Sequence, residues 1–155
     1  MATWAEFEAA EPAIALDGAR LLRPTGDGIA FLATVRGDGG PRVHPVMPVL
    51  AAGRLHVFVV NLSPKHEDLL RDGRYALHAL PPATGGEEFY VTGRARAIEA
   101  TARRAEVVAA SGGRLGLHDF ESLFELDLRR VLHTVWANWG TAETWPEYRK
   151  WRSRR

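Results

Sequence analysis

Short runs of alternating apolar and polar residues cover the middle of the chain, and this is the pattern of β-strands. The first two runs flank segment 37–40, which contains the Asp-Gly signal of a tight hairpin. A polar turn at 128–130 is expected to separate the last two. The predicted strands are 29–36, 41–50, 54–60, 74–80, 87–99, 122–127 and 131–136. Six or seven short antiparallel strands with few inserted helices predict a closed β-barrel.

The run at 41–50 is unusual among these strands because it contains two prolines. Its alternation places Val43, Met47 and Val49 on one face and Arg42 and His44 on the other. A proline cannot donate to a β-ladder. The strand is therefore expected to be an edge, to be kinked, or to be open on one side.

Helices are predicted before the first strand, between strands and after the last strand of the sequence. Thr3 and Glu6 form a capping box, and Thr101 is expected to cap a later helix. The predicted helical segments outside the barrel are 3–10, Pro12 to the residue before Pro24, 101–110, and a short helix from Pro146. We expect one domain, 1–155, with N-terminal helices in 1–24 and a C-terminal helix and basic tail in 141–155.

Segment 61–73 carries the signals of a helix that begins directly after a strand. Ser63 can cap the helix, and Pro64 suits its first position. Gly73 is placed to end it. The other roles are expected to be the following: Glu67 and Asp68 complement the helix dipole, while Leu69 and Leu70 supply the buried side.

This helix start has the features of an anion site. Its free backbone N–H groups point outward from the end of a strand. Lys65 and the Ser63 hydroxyl would face the same anion, and Lys65 is one of only two lysines in the chain. From these residues alone, a capped surface helix with a solvated lysine is the simpler interpretation. A phosphate site needs support from elsewhere in the chain.

Composition limits the possible classes of protein. The 155 residues carry a formal net charge of +1 and contain no cysteine, which excludes disulfides and thiolate metal sites. The six histidines show no metal-ligand spacing, so no metal is expected. The first residues are acidic where a signal peptide needs basic ones, and no apolar run reaches membrane-spanning length. A cytoplasmic protein without a membrane partner is expected.

Four segments together resemble the pyridoxamine 5′-phosphate oxidase-like family. They are FLATVRGDGGPRVHPV at 31–46, RLHVFVV at 54–60, SPKHEDLLRDGRYAL at 63–77 and FYVTGRARAI at 89–98. No single motif is diagnostic, but their order and spacing are fairly specific. The resemblance implies a mainly β fold: an antiparallel, six- to seven-stranded split β-barrel of Greek-key type with peripheral helices. It also implies a homodimer with two flavin sites at the subunit interface.

The resemblance assigns a cofactor role to residues in three places. Arg42, Val43, His44 and Pro45 would lie along the ring and ribityl chain of the flavin, Val59 and Val60 would line the ring, and Ser63 with Lys65 would hold the phosphate. Because the helix start independently predicts an anion at Ser63, the phosphate site becomes the preferred interpretation. Lys65→Ala is then expected to weaken cofactor binding.

The implied cofactor is FMN, with a deazaflavin as the alternative. The leading hypothesis is an oxidoreductase that transfers hydride between the flavin and a small organic substrate or nicotinamide. A deazaflavin-dependent reductase and a non-catalytic flavin carrier or sensor remain open. No catalytic residue is assigned, because no Ser-His-Asp grouping or carboxylate pair is visible.

The last 20 residues contain four of the five tryptophans. Trp136 or Trp139 could stack on a flavin, and we count Trp136 as a cofactor-binding candidate. The terminal RKWRSRR has five basic residues in seven. We expect no nucleic-acid partner, because the rest of the sequence shows no matching basic strip.

Overall fold

The described part of the computed structural model, residues 1–23 and 26–154, contains eight strands and four helices. The helices are α1 (Trp4–Ala10), α2 (Pro12–Leu22), α3 (Pro64–Arg71) and α4 (Thr101–Ala110). The strands are β1 (Ala30–Val35), β2 (Pro41–Val46), β3 (Pro48–Ala51), β4 (Arg54–Val60), β5 (Arg74–Ala79), β6 (Glu87–Ile98), β7 (Glu121–Ala137) and β8 (Trp145–Arg152). Pro24, expected to follow the second helix, lies outside the described residues.

The strands form one antiparallel sheet in the order β2-β1-β5-β6-β7-β4-β3. The two strands at the ends of this order, β2 and β3, are consecutive in the chain and are separated only by Met47. The sheet therefore curves into a barrel whose ring is closed by the polypeptide itself. The predicted antiparallel β-barrel with peripheral helices is confirmed.

The predicted strand 41–50 is thus two strands, broken where Pro48 follows Met47. A residue before proline is restricted in backbone conformation, and proline lacks the N–H of a ladder. The break also changes the alternation. Val43 and Met47 are 59% and 41% exposed whereas Val49 is fully buried, so the prediction that these three share one face was wrong.

The polar turn predicted at 128–130 is a β-bulge inside a single strand. In the register between β6 and β7, Thr92 pairs with Arg130 and Gly93 with Leu128, so Arg129 is the extra residue. Gly93 permits this approach, since a Cβ atom there would lie 1.7 Å from the Asp127 carbonyl oxygen. The two predicted strands are therefore one strand of 17 residues.

The helix predicted from Pro146 was wrong, because this segment is β8. It pairs with the outer half of β7, from Arg130 opposite Arg152 to Ala137 opposite Trp145. Tryptophan and tyrosine suit strands, and β7 offers a long free edge for pairing. Pro146 is tolerated because β8 pairs on one side only. A local proline signal was overridden by tertiary pairing.

The first two helices cover the end of the barrel where β6, β7 and β8 meet. The predicted capping box of α1 is present, and Trp4 and Phe7 are buried by it. The Phe7 ring lies 5.1 Å from that of Trp151 on β8. At α4, Thr101 is the first helical residue and the N-cap is Ala100, so the predicted Thr101 cap is corrected.

None of the helices in the described residues has the length and apolar character needed to cross a membrane.

Candidate functional site

The start of α3 is open at the protein surface. Pro64 occupies the first helical position, as predicted, and the neighbouring Leu62 is 89% exposed. The Ser63 side chain makes no capping bond to the helix, which corrects that prediction. Its hydroxyl instead donates to the Val60 carbonyl at 2.6 Å. The first-turn amides are therefore left without the side-chain acceptor that a capped helix provides.

Lys65 lies in the first turn of this helix and is partly buried. Burial lowers the pKa of its ammonium group, because the charged form loses solvation. Within residues 1–23 and 26–154, it has no carboxylate partner at ion-pair distance. An anion bound at this point would supply the missing counter-charge.

Two residues of β2, Arg42 and His44, lie on the side of the strand that faces α3. The Nε2 atom of His44 is buried without a hydrogen-bond partner in the described structure. Burial lowers the pKa of this imidazole, and the positive charges of Lys65 and Arg42 lower it further. A neutral imidazole with a free ring nitrogen therefore stands beside Lys65.

Asp68 holds α3 against the barrel. Its carboxylate is 3% exposed and accepts hydrogen bonds from Thr34 Oγ1 and Arg42 Nε, both at 2.8 Å, and from Arg71 Nη2 at 3.2 Å. Burial alone would raise the pKa of Asp68, but the bonds from Arg42, Thr34 and Arg71 lower it. Asp68 stays ionised and fixes the Arg42 guanidinium beside the helix start.

From the sequence, Asp68 was expected only to complement the helix dipole. Its role in holding Arg42 and Thr34 was not predicted. The available signal was Thr34, a polar residue at a buried position of the otherwise apolar strand β1. One neighbouring prediction was also wrong: Leu69 is buried, but Leu70 is 58% exposed. Gly73 does follow the end of α3, with a left-handed φ of 73°.

The other predicted cofactor residues on β2 and β4 are Val43, Pro45, Val59 and Val60. Val59 is buried inside the barrel, and Val60 is 41% exposed at the end of β4. Val43 and Pro45 are exposed on the opposite face of β2 from Arg42 and His44. The structure thus brings Arg42, His44 and Lys65 together at the start of α3.

Trp136 is distant from the helix start within one subunit. The first residue of β7, Glu121, pairs with Val60, whereas Trp136 lies near the other end of the same strand. The separation along an extended strand is roughly 50 Å. The Trp136 ring instead lies 6.0 Å from that of Trp139.

The described histidines do not assemble a metal centre. No group of three or more His, Cys, Asp or Glu side chains in the described part of the chain could hold an ion. His66 Nε2 lies 2.9 Å from Ser122 Oγ, and His78 Nδ1 lies 2.7 Å from the Ala79 carbonyl.

The sequence matches no family model and no curated protein, whereas many solved structures share its architecture. A heme-binding protein from Mycobacterium smegmatis aligns with a TM-score of 0.63 and 19% identity over 85% of this chain. HutZ, a heme storage protein from Vibrio cholerae, has a TM-score of 0.61 and 16% identity over 74% of this chain and 89% of its own. An F420 reductase has a TM-score of 0.58 and 17% identity over 73% of this chain and 94% of its own.

These alignments, together with the barrel closed at Met47, establish the architecture. The fold is a split β-barrel. At identities of 12–21% the likeness concerns the fold alone. The chain spans 56% of the length of the M. smegmatis protein.

Proposed function

We propose that the chain binds a phosphate-bearing flavin-type cofactor, FMN or a deazaflavin, with its phosphate at the start of α3. The observation that carries this proposal is the uncapped first turn beside Lys65, a partly buried cation without a described carboxylate partner. A helix N-terminus and a lysine are a recurrent combination for phosphate. The split-barrel fold and the likeness to an F420 reductase support the cofactor class.

The residues present fit such a group. Lys65 and the first-turn amides would hold the phosphate, and the Ser63 hydroxyl would join them by turning away from the Val60 carbonyl. Arg42 is held in place by Asp68 and would add positive charge beside it. His44 would offer a buried, neutral ring nitrogen to a polar atom of the cofactor or substrate. Val59 and Val60 would line the apolar side.

When bound, a flavin or deazaflavin supplies hydride transfer, and the protein has to bind, orient and shield it. No described side chain is placed as an independent nucleophile or acid–base pair, so we assign no catalytic residue. The chain would act as an oxidoreductase on a small organic substrate or nicotinamide. A carrier or sensor that binds the same cofactor is the alternative, and steady-state turnover with NAD(P)H and an acceptor would exclude it.

A homodimer with the cofactor at the subunit interface is part of the proposal. The outer face of β1 and β2 exposes apolar side chains: Phe31 is 39%, Val43 59% and Met47 41% exposed. Such a patch is typical of a protein interface. A second copy would also be the way to bring Trp136 to a cofactor, because one subunit alone does not.

Heme is a second candidate ligand, and one observation favours it. The free Nε2 atom of the neutral His44 has the chemistry of an axial iron ligand. Two of the similar structures are, by name, a heme-binding and a heme storage protein. The absorbance spectrum of the purified protein with FMN, F420 or hemin distinguishes the three ligands.

The deciding experiment is a titration of each cofactor into the wild-type protein and the Lys65→Ala variant. We expect the variant to lose about 1.5–3 kcal/mol of binding free energy, the range for a charge-assisted hydrogen bond. Arg36→Ala is the matched control, since it removes one exposed charge in the hairpin, 48% exposed and paired with Asp38. Unchanged affinity in Lys65→Ala would contradict the proposed phosphate position.

A further inference from the structure

Two arginines lie side by side on the neighbouring strands β7 and β8. Arg130 and Arg152 are Cα partners in the antiparallel register, so their side chains leave the same face of the sheet. Both are exposed. Like charges directly opposite each other are destabilising. In the part of the chain that the structure describes, neither guanidinium has a carboxylate partner at ion-pair distance.

Two further cations adjoin this pair. Lys150 is two residues from Arg152 on the same strand and therefore on the same face, and its ammonium lies 5.1 Å from the centre of the Tyr148 ring. Arg129 is the extra residue of the bulge next to Arg130. In a chain with a formal net charge of +1, four cations are thus concentrated at one place.

These cations border a cleft with an apolar floor. Its volume is about 550 Å³, and the Tyr90 and Leu132 side chains line it together with Arg130, Lys150 and Arg152. The Trp151 ring points to the opposite face of the sheet, toward Phe7. Among the residues that the structure describes, no acidic side chain lines this cleft. The volume is within the range of small-molecule sites, which are mostly apolar with a few fixed polar groups.

We propose that this cleft binds a small aromatic molecule that carries two or more negative charges. The Tyr90 ring and the Leu132 side chain, which lie on the same face as the cations, would contact the planar part. Arg130, Arg152 and Lys150 would neutralise the anionic groups, and the ligand would relieve the repulsion between the two arginines. The proposal is independent of the cofactor site, because it uses none of the residues at the start of α3.

A small molecule suits this cleft better than a nucleic acid. Proteins that bind a nucleic-acid strand place their cations along an extended groove that follows the phosphate backbone. Here three of the four cations line a single cleft with an apolar floor. The neighbouring cleft, lined by Arg74, Arg129 and Arg130, is smaller at about 260 Å³.

The test is a fluorescence titration of the full-length chain with bis-ANS, an aromatic dye with two sulfonates. The variant Arg130→Glu is central, because it removes the anion contact and creates an opposite-charge pair with Arg152. We expect at least about tenfold weaker dye binding, the equivalent of one charge-assisted contact. The melting temperature is expected to rise, since opposite charges across a strand pair stabilise it.

Arg152→Gln removes the charge without creating a new pair and is expected to weaken the dye to a similar extent. Lys65→Ala is the matched control: it should leave dye binding unchanged and reduce only cofactor binding. Unchanged dye affinity in both arginine variants would overturn the proposal, and so would an equal loss in Lys65→Ala. Displacement of the dye by oligothymidylate, with an affinity that rises with its length, would also overturn it and indicate a nucleic-acid track.

Discussion

Two buried carboxylates in this barrel are held in the same way but in different surroundings. Asp68 on α3 and Glu125 on β7 are each 3% exposed. Asp68 is bound by Arg42 and Arg71, and Glu125 accepts hydrogen bonds from Arg54 and, at 2.7 Å, from Arg96 Nη2. Each cluster joins three elements of the fold: α3 with β1 and β2 at Asp68, and β7 with β4 and β6 at Glu125.

The difference lies in the groups that remain unsatisfied nearby. Beside Asp68, Lys65 and the free Nε2 of His44 border the open start of α3. Beside Glu125, the His56 side chain is fully buried. Neither of its ring nitrogens has a hydrogen-bond partner in the described structure, and Nε2 lies 3.9 Å from Glu125 Oε2. A buried ion pair is thus a structural device in both places. What distinguishes the candidate site is Lys65, an unsatisfied cation that is only partly buried and that a ligand can reach.

The largest expected effect is the removal of either carboxylate. Asp68→Ala and Glu125→Ala should each reduce the free energy of unfolding by about 3 kcal/mol, the lower end of the cost of breaking a buried pair. The lower end applies because Arg42 and Arg54 keep 29% and 32% of their side-chain exposure. Urea denaturation measures the loss. Asp68→Ala alone should also weaken cofactor binding, and an equal weakening in Glu125→Ala would remove the distinction between the clusters.

A smaller effect is expected from the pH dependence of stability. Burial lowers the pKa of His56 below its ordinary 6.5, and the charge of Arg103 acts in the same direction against Glu125. The unfolded state therefore binds more protons just below pH 6.5. Stability should fall as pH decreases through this window, with a slope of up to about 1.4 kcal/mol per pH unit for one group.

His44 contributes in the same direction, because its pKa is also lowered. The variants His56→Gln and His44→Gln separate the two. Urea midpoints measured at neutral pH and one unit below pH 6.5 should show the greater reduction of slope in His56→Gln, since its side chain is fully buried. A greater reduction in His44→Gln would show that the more accessible histidine dominates.

The smallest effect is expected at the outer arginine of each cluster. Arg71 and Arg96 are 44% and 54% exposed, so truncation of either to alanine should cost only about 0.2–1 kcal/mol. Thermal or urea unfolding of both variants tests this. A loss in Arg71→Ala as large as that in Asp68→Ala would mean that Arg71, not Arg42, anchors the helix.

The sequence predicted the barrel between residues 29 and 99 well, because alternation and turn residues are local signals. The predicted strand 74–80 is observed as Arg74–Ala79, and the helix start at Pro64 is correct. Of the residues that the structure brings together at the start of α3, the sequence proposed Arg42, His44 and Lys65 as cofactor candidates but not Asp68. Its partners Thr34 and Arg42 are distant in sequence, and a helix-dipole role explained the residue locally.

The errors beyond residue 100 have a common physical cause. β8 forms because one edge of β7 is free to pair with it. A pattern of apolar and polar residues within one segment does not indicate whether another strand has a free edge. The bulge at Arg129 was read as a turn because two exposed arginines interrupt the apolar run. Both features depend on a partner strand, Gly93 in β6 for the bulge and β7 for the last strand.

The extra residue at the bulge moves the inward positions of β7 from even to odd residue numbers. Before the bulge, Phe124, Leu126 and Leu128 point into the core; after it, Val131 and His133 do, and Arg130 and Leu132 point outward. Deleting Arg129 would place Arg130 directly after Leu128 and remove the register shift, so the same side chains would stay inside. A deletion or insertion elsewhere in the strand would exchange inside and outside for every later residue. Relatives of this protein should therefore vary in length at the bulge sooner than at any other position of β7.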